Sequence, residues 1–476
     1  MQVVYDVLNW IDGNILWGIP MIVIILLSGI LLTVRTKFFQ VRKFGLSCKK
    51  TVGESIKQIK GGKSADKSAI SPFEAFSTAV SGTVGTGNIV GVTTAILSGG
   101  PGAVFWMWIS AFFGCVTKFA EITLGLFYRK KDENGEFLGG PMYYIEHGVK
   151  QKWLAVLFAI FTILAAIGMG SVQADTIQST WNSAFSIPTW VTAIIIAVLT
   201  DLVIIGGVKR IGKVASLLVP FMAVAFIIIA IILVCVNITA VPRALASIFT
   251  SAFSAKSMLS GFMGYGIAQA MRYGFARGIF SNEAGLGSST IAHSNANVKE
   301  PVEQGLWGIF EVFLDTFVIC TLTALLVLTS GLQGNVIGDG ASVAMTAFSG
   351  VLGIFGEIAF SVILPLFAFT TILAWALYGA KSAQYLFSKN TKVTKFVFDI
   401  IYILMIVGIS LLTFFFGDNL GADFVWLISD MTNALMALPN LIALIILSGT
   451  LVKVTKNYFD RKSGKDVPEM ISAYED

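Results

Sequence analysis

Eleven long apolar segments constrain this chain more than any other feature of its sequence. Most of them approach or exceed the ~20 residues with which a helix crosses the hydrocarbon core of a bilayer. Because lipid offers no water to backbone polar groups, such segments are expected to be helical. The sequence therefore predicts an all-α integral membrane protein with eleven transmembrane helices. The segments cover approximately residues 15–34, 73–97, 103–128, 153–178, 188–207, 214–236, 259–282, 304–330, 352–380, 395–416 and 425–452.

The composition excludes most other classes of protein. Hydrophobic residues make up 55% of the chain and charged residues 13%, about half the charged fraction of a soluble protein. The net charge of +5 does not indicate nucleic-acid binding, because the basic residues lie in short loops. The four cysteines are scattered and predict neither a metal site nor a disulfide framework. The N-terminus, with Asp6 and Asp12, predicts no removable signal peptide.

The distribution of basic residues predicts the orientation. If the N-terminus is outside, 28 of the 33 Lys and Arg residues fall in loops or the tail on the cytoplasmic side. Only Arg243 and Lys256 fall in outside loops, and Lys118, Arg272 and Arg277 lie within apolar segments. This asymmetry follows the positive-inside rule. We therefore expect an odd number of helices and a cytoplasmic C-terminus.

The second apolar segment contains a dense cluster of glycines, in the run from Ser81 to Gly91. Glycines occupy positions 82, 85, 87 and 91, where a spanning helix should be most regular. Glycine weakens helices, and an opened turn in lipid must find other partners for its backbone groups. One interpretation is a helix broken at the membrane midplane with its freed backbone groups turned onto a bound solute. The alternative is close packing of small residues between two helices.

A second glycine-rich segment favours the solute-site interpretation. With the segments after the first numbered helices 1 to 10, helix 6 is interrupted by Gly264, Gly266, Gly274 and Gly278. Interrupted helices at matching places in two halves are typical of transporters built from inverted repeats. The predicted division is an N-terminal helix and basic cytoplasmic loop, two five-helix repeats and a cytoplasmic tail expected to be mobile. These parts span residues 1–72, 73–258, 259–452 and 453–476.

Several motifs, in this order and spacing, resemble those of the alanine or glycine:cation symporter family. The similarity covers about residues 17–452. The resemblance implies a LeuT-type fold with a 5+5 inverted repeat and one extra N-terminal helix. It also implies transport of small neutral amino acids with sodium, occasionally with protons, across a bacterial cell membrane. The motifs are Gly82-Thr-Val-Gly-Thr-Gly-Asn-Ile-Val-Gly91, Gly99-Gly-Pro-Gly-Ala-Val-Phe-Trp-Met-Trp108, Thr117-Lys-Phe-Ala-Glu121, Gly139-Gly-Pro-Met-Tyr143, Ala276-Arg-Gly-Ile-Phe-Ser-Asn-Glu-Ala-Gly-Leu-Gly287 and Phe313-Leu-Asp-Thr316.

An amino-acid zwitterion needs donors for its carboxylate and acceptors for its ammonium group, and a broken helix supplies both. Amides that open the second half of helix 1 suit a carboxylate, and carbonyls that end the first half suit an ammonium group or Na⁺. The Asn88 side chain binds an ion or the substrate, or else caps the reopened helix. The resemblance adds pocket residues, among them Tyr273, where some relatives have Trp and a different pocket size results. The predicted substrate-binding residues are Thr83, Gly85, Thr86, Gly87, Asn88, Gly168, Gln173, Tyr273 and Trp375.

The alternatives for the added residues are structural. Gln173 makes a hydrogen bond between helices in that case, and an aromatic residue such as Tyr273 is part of the core. The resemblance further implies a sodium site, with hydroxyls from Thr370 and Thr371 and backbone carbonyls from Ser81, Val84 and Phe367. Alternatively, both threonines bond to carbonyls of their own helix.

The remaining polar residues predict structure rather than chemistry. Lys118 and Glu121, one turn apart, are expected to pair, and Arg277 is expected to pair with Glu283 or Asp315 and gate the cytoplasmic side. Both histidines are placed in cytoplasmic loops and are not expected to relay protons. The local patterns predict a turn at 132–135, an interfacial helix near 139–147 and a short helix at 338–348 that caps an entrance.

We therefore predict a secondary active transporter that couples Na⁺ to uptake of alanine or glycine, with glutamine as a further candidate. It has no cofactor apart from the coupling ion. A proton-coupled transporter is the nearest alternative. A channel would need a symmetric or open filter, a membrane enzyme would need a catalytic constellation that the chain lacks, and a substrate sensor would bind without transport.

Overall fold

A computed structural model of the chain describes residues 2–59, 69–131, 135–253, 263–331, 340–416 and 418–474, nearly all of them helical. One small antiparallel hairpin joins β1 (Lys130–Lys131) to β2 (Phe137–Leu138). The helices are α1 (Gln2–Ile11), α2 (Ile19–Arg35), α3 (Phe39–Arg42), α4 (Phe44–Ile59), α5 (Pro72–Thr83), α6 (Val90–Gly99), α7 (Gly102–Phe127), α8 (Pro141–Tyr143), α9 (Lys152–Phe185), α10 (Thr189–Ile204), α11 (Gly207–Val236), α12 (Val241–Ala252), α13 (Met263–Asn282), α14 (Ser288–His293), α15 (Pro301–Val312), α16 (Thr321–Thr329), α17 (Gly340–Leu352), α18 (Ile354–Leu386), α19 (Thr391–Phe416) and α20 (Asp418–Lys462).

Each of the eleven predicted apolar segments contains a helix. Seven helical stretches in the described part of the chain are long and apolar enough to cross a membrane, and the bent pair α5 and α6 makes an eighth. α10 is apolar but has only 16 residues. The helical, membrane-spanning architecture is therefore confirmed, whereas the total of eleven spans stays a prediction.

The surface of the bundle shows why the chain belongs in lipid. Large apolar side chains such as Leu217, Phe221 and Leu202 face outward, with 74%, 64% and 56% of their surface exposed. Many polar side chains are instead buried in the interior. In lipid, close packing rather than exclusion of water holds helices together, and α9 accordingly lies along both α18 and α20, while α7 lies along α13 and α15.

Helix 6 is not broken where the sequence predicted. α13 runs without interruption from Met263 to Asn282, through the glycines that were expected to open it. A Cβ on Gly274 would lie 2.5 Å from a backbone oxygen of α7, so this glycine permits close packing of two helices. The chain leaves the helical conformation only after α13, at residues 283–287 before the short α14, and we call this turn the break of helix 6. In it Glu283, Gly285 and Gly287 have positive φ angles of 54°, 100° and 78°. The segment from 283 to 296, predicted as the start of a cytoplasmic loop, is buried.

The connecting segments partly follow the predictions. The turn predicted at 132–135 lies mostly outside the described residues, although β1 and β2 flank it. The predicted helix near 139–147 is present as α8 and a π-helical turn, and its Met142 and Tyr144 side chains are fully buried within the protein. The helix predicted at 338–348 is α17, which packs against α6 and α18.

The tail was predicted to be mobile, but it packs against the body of the protein. α20 extends to Lys462, and the following residues return along the body of the protein. The Ala473 amide donates to the Phe127 carbonyl at 2.8 Å, and the Tyr474 hydroxyl donates to the Tyr128 carbonyl at 3.2 Å. These bonds hold the tail against the end of α7.

Candidate functional site

Helix 1 is broken at its glycine cluster. α5 begins with a capping box in which the Ser71 hydroxyl accepts from the Glu74 amide and the Glu74 carboxylate accepts from the Ser71 amide. Val84 and Gly85 then leave the helical conformation, and Thr86–Asn88 form a single 3₁₀ turn before α6. The two halves meet at an angle of 57°. The predicted break in helix 1 is confirmed.

None of the four glycines of the cluster, at positions 82, 85, 87 and 91, has a positive φ angle. Glycine is therefore not needed there for unusual backbone angles, and at the break it lets neighbouring helices approach closely. A Cβ on Gly85 would lie 2.4 Å from the Thr371 hydroxyl oxygen of α18. A Cβ on Gly87 would lie 3.1 Å from the Phe280 ring of α13. Gly91, by contrast, has an ordinary nearest contact of 3.9 Å. The break therefore lies directly between α18 and α13.

Two amides of the break donate to amide side chains. The Gly85 N–H donates to Asn88 Oδ1 at 2.9 Å, and the Thr86 N–H donates to Gln173 Oε1 at 3.3 Å. Gln173 thus reaches the break from α9, and this bond is the hydrogen bond between helices that the alternative described, so its role in a substrate pocket stays a prediction. Asn88 caps the reopened helix through its oxygen, while its Nδ2 donates to Asp315 at 2.6 Å. Both side-chain oxygens take the place that a carboxylate would take on these amides.

Oxygen atoms from α5 and α18 gather beside the break. The Thr371 hydroxyl donates to the Ser81 carbonyl at 2.9 Å and is 3.0 Å from the Phe367 carbonyl. The Thr370 hydroxyl also lies 3.0 Å from the Phe367 carbonyl. Val84 follows the last residue of α5, where helix carbonyls lose their partners. Both threonines therefore bond to their own helix, as the alternative held, and Thr371 in addition joins α18 to α5.

This oxygen set fits a monovalent cation. Hard cations prefer oxygen ligands, and hydroxyls and carbonyls provide them without a formal negative charge. Among the described residues, no group of three or more His, Cys, Asp or Glu side chains forms a metal site. The donor set therefore suits Na⁺ better than a transition metal.

Three further residues predicted for the substrate pocket make contacts within the helix bundle. The Thr83 hydroxyl donates to a carbonyl of its own helix at 3.2 Å. A Cβ on Gly168 would lie 3.1 Å from Ser429 of α20, so this position is filled by a neighbouring helix. Trp375 lies one turn beyond the α18 threonines, with its ring centroid 5.5 Å from that of Tyr378. Its indole N–H is buried and has no hydrogen-bond partner in the described part of the chain.

Tyr273 lies away from the break. Its Cβ is 3.1 Å from the position of a Cβ on Gly99, at the far end of α6. The aromatic residue beside the break is Phe280, which contacts Gly87 and stacks on Trp426 with ring centroids 6.0 Å apart. Sequence reasoning missed Phe280 because it placed the opening of helix 6 too early in the chain.

Asp315 is the second residue that sequence reasoning did not place at the site. It is fully buried, and its carboxylate accepts hydrogen bonds from Asn88, Ser281 and Thr316. It therefore joins the helix 1 break to the end of α13. The available signal was an aspartate within an apolar segment, which is costly in a membrane and is a functional hypothesis by default.

The predicted pair of Lys118 and Glu121 is wrong. The Lys118 ammonium instead pairs with Glu311 of α15 at 3.3 Å and donates to Ser289 at 2.7 Å. His293, predicted for a loop, is fully buried and lies 2.9 Å from the second carboxylate oxygen of Glu311. The break in helix 6 folds this histidine into the core. Its predicted position in an aqueous loop therefore gives no reason to exclude it from proton movement.

Arg277 also has a different partner from the predicted ones. It pairs with Asp430 of α20 at 3.0 Å rather than with Glu283 or Asp315. The Arg277 side chain lies 3.9 Å from the position of a Cβ on Gly91, which is in α6. This side of the break faces outward in the predicted orientation, so a gate formed by the pair would be extracellular.

Comparisons with known proteins agree with this geometry. The sequence profile described as the sodium:alanine symporter family matches residues 1–472. The sodium/alanine symporter AgcS of Methanococcus maripaludis is 38% identical over 455 residues, which cover 94% of this chain and 95% of that protein. The probable sodium/glutamine symporter GlnT of Bacillus subtilis is 36% identical over 468 residues, which cover 98% and 93%.

A solved structure is similar in its fold alone. The crystal structure of MhsT in complex with L-phenylalanine has a TM-score of 0.57 and 13% identity, and the match covers 82% of this chain and 99% of that chain. The fold is therefore of the LeuT type, as predicted.

Proposed function

The chain belongs to the sodium:alanine symporter family, and we propose that it couples inward movement of Na⁺ to uptake of a small neutral amino acid by alternating access. Membership makes it a multi-pass secondary active transporter and not an enzyme. One observation carries the proposal for this chain. The Thr371 hydroxyl of α18 bonds directly to the Ser81 carbonyl, four residues before the Gly85 amide, which in the same broken helix bonds to a side chain instead of a helix carbonyl.

The proposed sodium ligands are the hydroxyls of Thr370 and Thr371 and the carbonyls of Ser81, Val84 and Phe367. Four of the five residues already lie in one hydrogen-bonded group. Bound Na⁺ would supply positive charge there and hold α5 against α18. The site is made of neutral groups, so it would not bind a proton tightly.

The proposed amino-acid site comprises the rest of the break. The amides of Gly85, Thr86 and Gly87 are suited to the carboxylate. As the substrate arrives, the Asn88 side chain would leave the Gly85 amide and the Gln173 side chain would leave the Thr86 amide. The carbonyl of Thr83, at the end of α5, is suited to the ammonium group. Since residues 81–88 serve both ligands, occupancy of one site changes the geometry of the other.

Phe280 sets the size of the substrate in this proposal. It faces Gly87 and is supported by Trp426, so it would bound the space around the substrate side chain. One relative is named for alanine and another for glutamine. We therefore propose alanine, glycine and serine as substrates, with glutamine as the largest candidate, and retain no pocket role for Tyr273.

The topology follows the predicted orientation. We propose two inverted repeats, residues 73–258 and 259–452, preceded by the N-terminal helix and loop at 1–72 and followed by the tail at 453–476. The N-terminus would be outside a bacterial cell membrane and the C-terminus in the cytoplasm. α5 would then be the cytoplasmic half of helix 1 and α6 its extracellular half.

The driving force is sufficient for uptake. One Na⁺ moving down a membrane potential of 100 mV releases ~2.3 kcal/mol. A tenfold concentration gradient adds about 1.4 kcal/mol. Together these support accumulation of several hundred-fold with one ion.

The test is counterflow in proteoliposomes that contain the purified protein. Labelled alanine, glycine, serine and glutamine are compared with Na⁺ and with choline in its place, and uptake is then driven by a sodium gradient. Saturable, sodium-dependent uptake of at least one of them supports the proposal. Uptake driven by a pH gradient without Na⁺ would show proton coupling instead of sodium coupling. Single-channel currents would show a channel, and substrate binding without flux would show a sensor.

A further inference from the structure

Glu283, at the break of helix 6, is a buried carboxylate that lacks a basic partner. The whole residue is inaccessible to solvent. Its Oε2 accepts a hydrogen bond from the Ser288 hydroxyl at 2.5 Å, whereas its Oε1 has no hydrogen-bond partner. Among the described ion pairs, none joins Glu283 to a Lys, Arg or His. A buried charge is costly unless it is paired or neutralised.

A second unsatisfied oxygen faces the same point. The Tyr378 hydroxyl of α18 is fully buried and has no partner within the described residues. This hydroxyl lies 2.8 Å, and Glu283 Oε1 lies 3.2 Å, from the position that a Cβ would take on Gly82. The two oxygens are therefore no farther apart than the sum of those distances. Both oxygens therefore lie against the backbone of Gly82, so close that a side chain at this position would clash with the Tyr378 hydroxyl.

The charges around Glu283 do not neutralise it. The neighbouring groups are Lys118 from α7, Glu311 from α15 and Asp315 from the turn that follows α15. The Lys118 ammonium pairs with Glu311, on which His293 also converges. The wider cluster includes Glu121 as well, so four buried carboxylates surround one lysine and one histidine.

We propose that Glu283 and Tyr378 form a monovalent-cation site at Gly82, which takes up a proton or Na⁺ in each transport cycle. This site is separate from the hydroxyl and carbonyl site at Thr370 and Thr371. The proposal rests on the proposed function, because it adds a second coupling ion to the same cycle. Gly82 is the penultimate residue of α5, the half of helix 1 assigned to the cytoplasmic side. A movement of α5 away from α18 would therefore open the site and release its ion to the cytoplasm.

The test replaces the carboxylate by its neutral isostere, Glu283→Gln, in proteoliposomes with an imposed membrane potential and no ion gradient. Each cation carried down about 100 mV multiplies the limiting accumulation of amino acid by about 50. We expect E283Q to lower that limit about 50-fold and to retain sodium-dependent counterflow, which needs substrate binding but no net ion movement. An unchanged limit would overturn the proposal. A wild-type protein without any sodium-dependent counterflow would instead overturn the proposed function.

Two further measurements identify the ion. If it is a proton, the wild-type limit changes about tenfold for each unit of an imposed pH gradient, and the E283Q limit does not. If it is Na⁺, the Hill coefficient for Na⁺ falls from about 2 to about 1 in E283Q.

The matched control is Glu121→Gln, a carboxylate of equal burial in the same cluster. Glu121 Oε1 accepts hydrogen bonds from the Gly285 amide and Asn440, and its Oε2 also lacks a partner among the described residues. Unlike Glu283, it has no oxygen among the atoms nearest to Gly82. E121Q should keep the wild-type limit, and equal losses in both variants would refute the assignment to Glu283. If E283Q fails to fold, Tyr378→Phe decides the question. A severalfold weaker dependence on the same ion supports the site, and an unchanged dependence overturns it.

Discussion

Replacing Thr371 by Val tests whether the oxygen cluster beside the break binds the coupling ion. Valine has nearly the shape of threonine but lacks the hydroxyl, so the change removes one proposed sodium ligand. It also removes the 2.9 Å hydrogen bond between α18 and the Ser81 carbonyl of α5. The helix itself keeps all its backbone bonds.

The expected magnitude follows from that geometry. An oxygen that contacts a buried charge contributes ~1.5–3 kcal/mol, which corresponds to about a 10- to 150-fold loss of sodium affinity. Leaving the Ser81 carbonyl without its side-chain donor costs a further ~1–3 kcal/mol of folding stability. The matched control is Thr162→Val in α9, where the buried hydroxyl donates to the Phe158 carbonyl of its own helix at 2.8 Å.

Two measurements separate ion binding from stability. The first is the Na⁺ concentration for half-maximal alanine uptake in proteoliposomes, and the second is the rise in melting temperature that Na⁺ alone gives the protein in detergent. We expect T371V to raise the half-maximal Na⁺ concentration at least tenfold and to abolish most of the rise in melting temperature that Na⁺ gives. T162V should leave both quantities near wild type. A shift in T371V of less than threefold, or an equal shift in T162V, refutes the sodium assignment.

Three other substitutions have definite expected outcomes. Gly85→Ala would place a Cβ 2.4 Å from the Thr371 hydroxyl oxygen and should abolish uptake. Gly91→Ala, whose Cβ would have its nearest contact at 3.9 Å, should be tolerated. Similar uptake by the two variants would contradict the argument that Gly85 is needed for close approach. Gln173→Ala removes the proposed pocket side chain that bonds to the Thr86 amide, so the KM for alanine should rise about tenfold with sodium affinity nearly intact, and an unaltered KM would remove Gln173 from the pocket. Lys118→Met leaves the buried Glu311 carboxylate without its lysine and should destabilise the protein by ~3–5 kcal/mol; adding Glu311→Gln should restore most of the melting temperature, and no restoration would show that the pair is not the cause.

Sequence reasoning located one break and missed the other for the same physical reason. Glycine serves both opened turns and close helix packing, and the sequence alone does not distinguish these uses. At Gly85 the helix does open, but at Gly274 the glycine admits α7 against an unbroken α13. The true break of helix 6 depends on Glu283, whose positive φ is uncommon for a residue with a side chain. Because the sequence does not show this backbone angle, the segment that contains Glu283 was predicted to be an ordinary loop.

The ion pairs were not predictable from spacing along the chain. Lys118 and Glu121 are placed one turn apart, which favours a local pair on an isolated helix by only ~0.2–0.5 kcal/mol. In the folded protein α15 brings Glu311 to Lys118, and a fully buried pair outweighs that local preference. Arg277 finds Asp430 of α20 in the same way. By contrast, Thr371 was placed correctly against Ser81 because the resemblance specified the helices that meet there.

The arrangement of the break implies that sodium and amino acid affinities are linked in a measurable way. The Ser81 carbonyl lies at the end of α5, and the Gly85 amide lies four residues later, so fixing one fixes the approach of the other. Thermodynamic linkage then requires that Na⁺ raises the affinity for amino acid by the same factor as the amino acid raises the affinity for Na⁺. A variant that only weakens the ion site lowers sodium affinity and leaves this factor unchanged, whereas one that loosens α5 from α18 reduces the factor itself. Thr371 contributes to both, so T371V should reduce this factor as well as the sodium affinity. An unchanged factor in T371V would show that the bond between α18 and α5 does not couple the two sites.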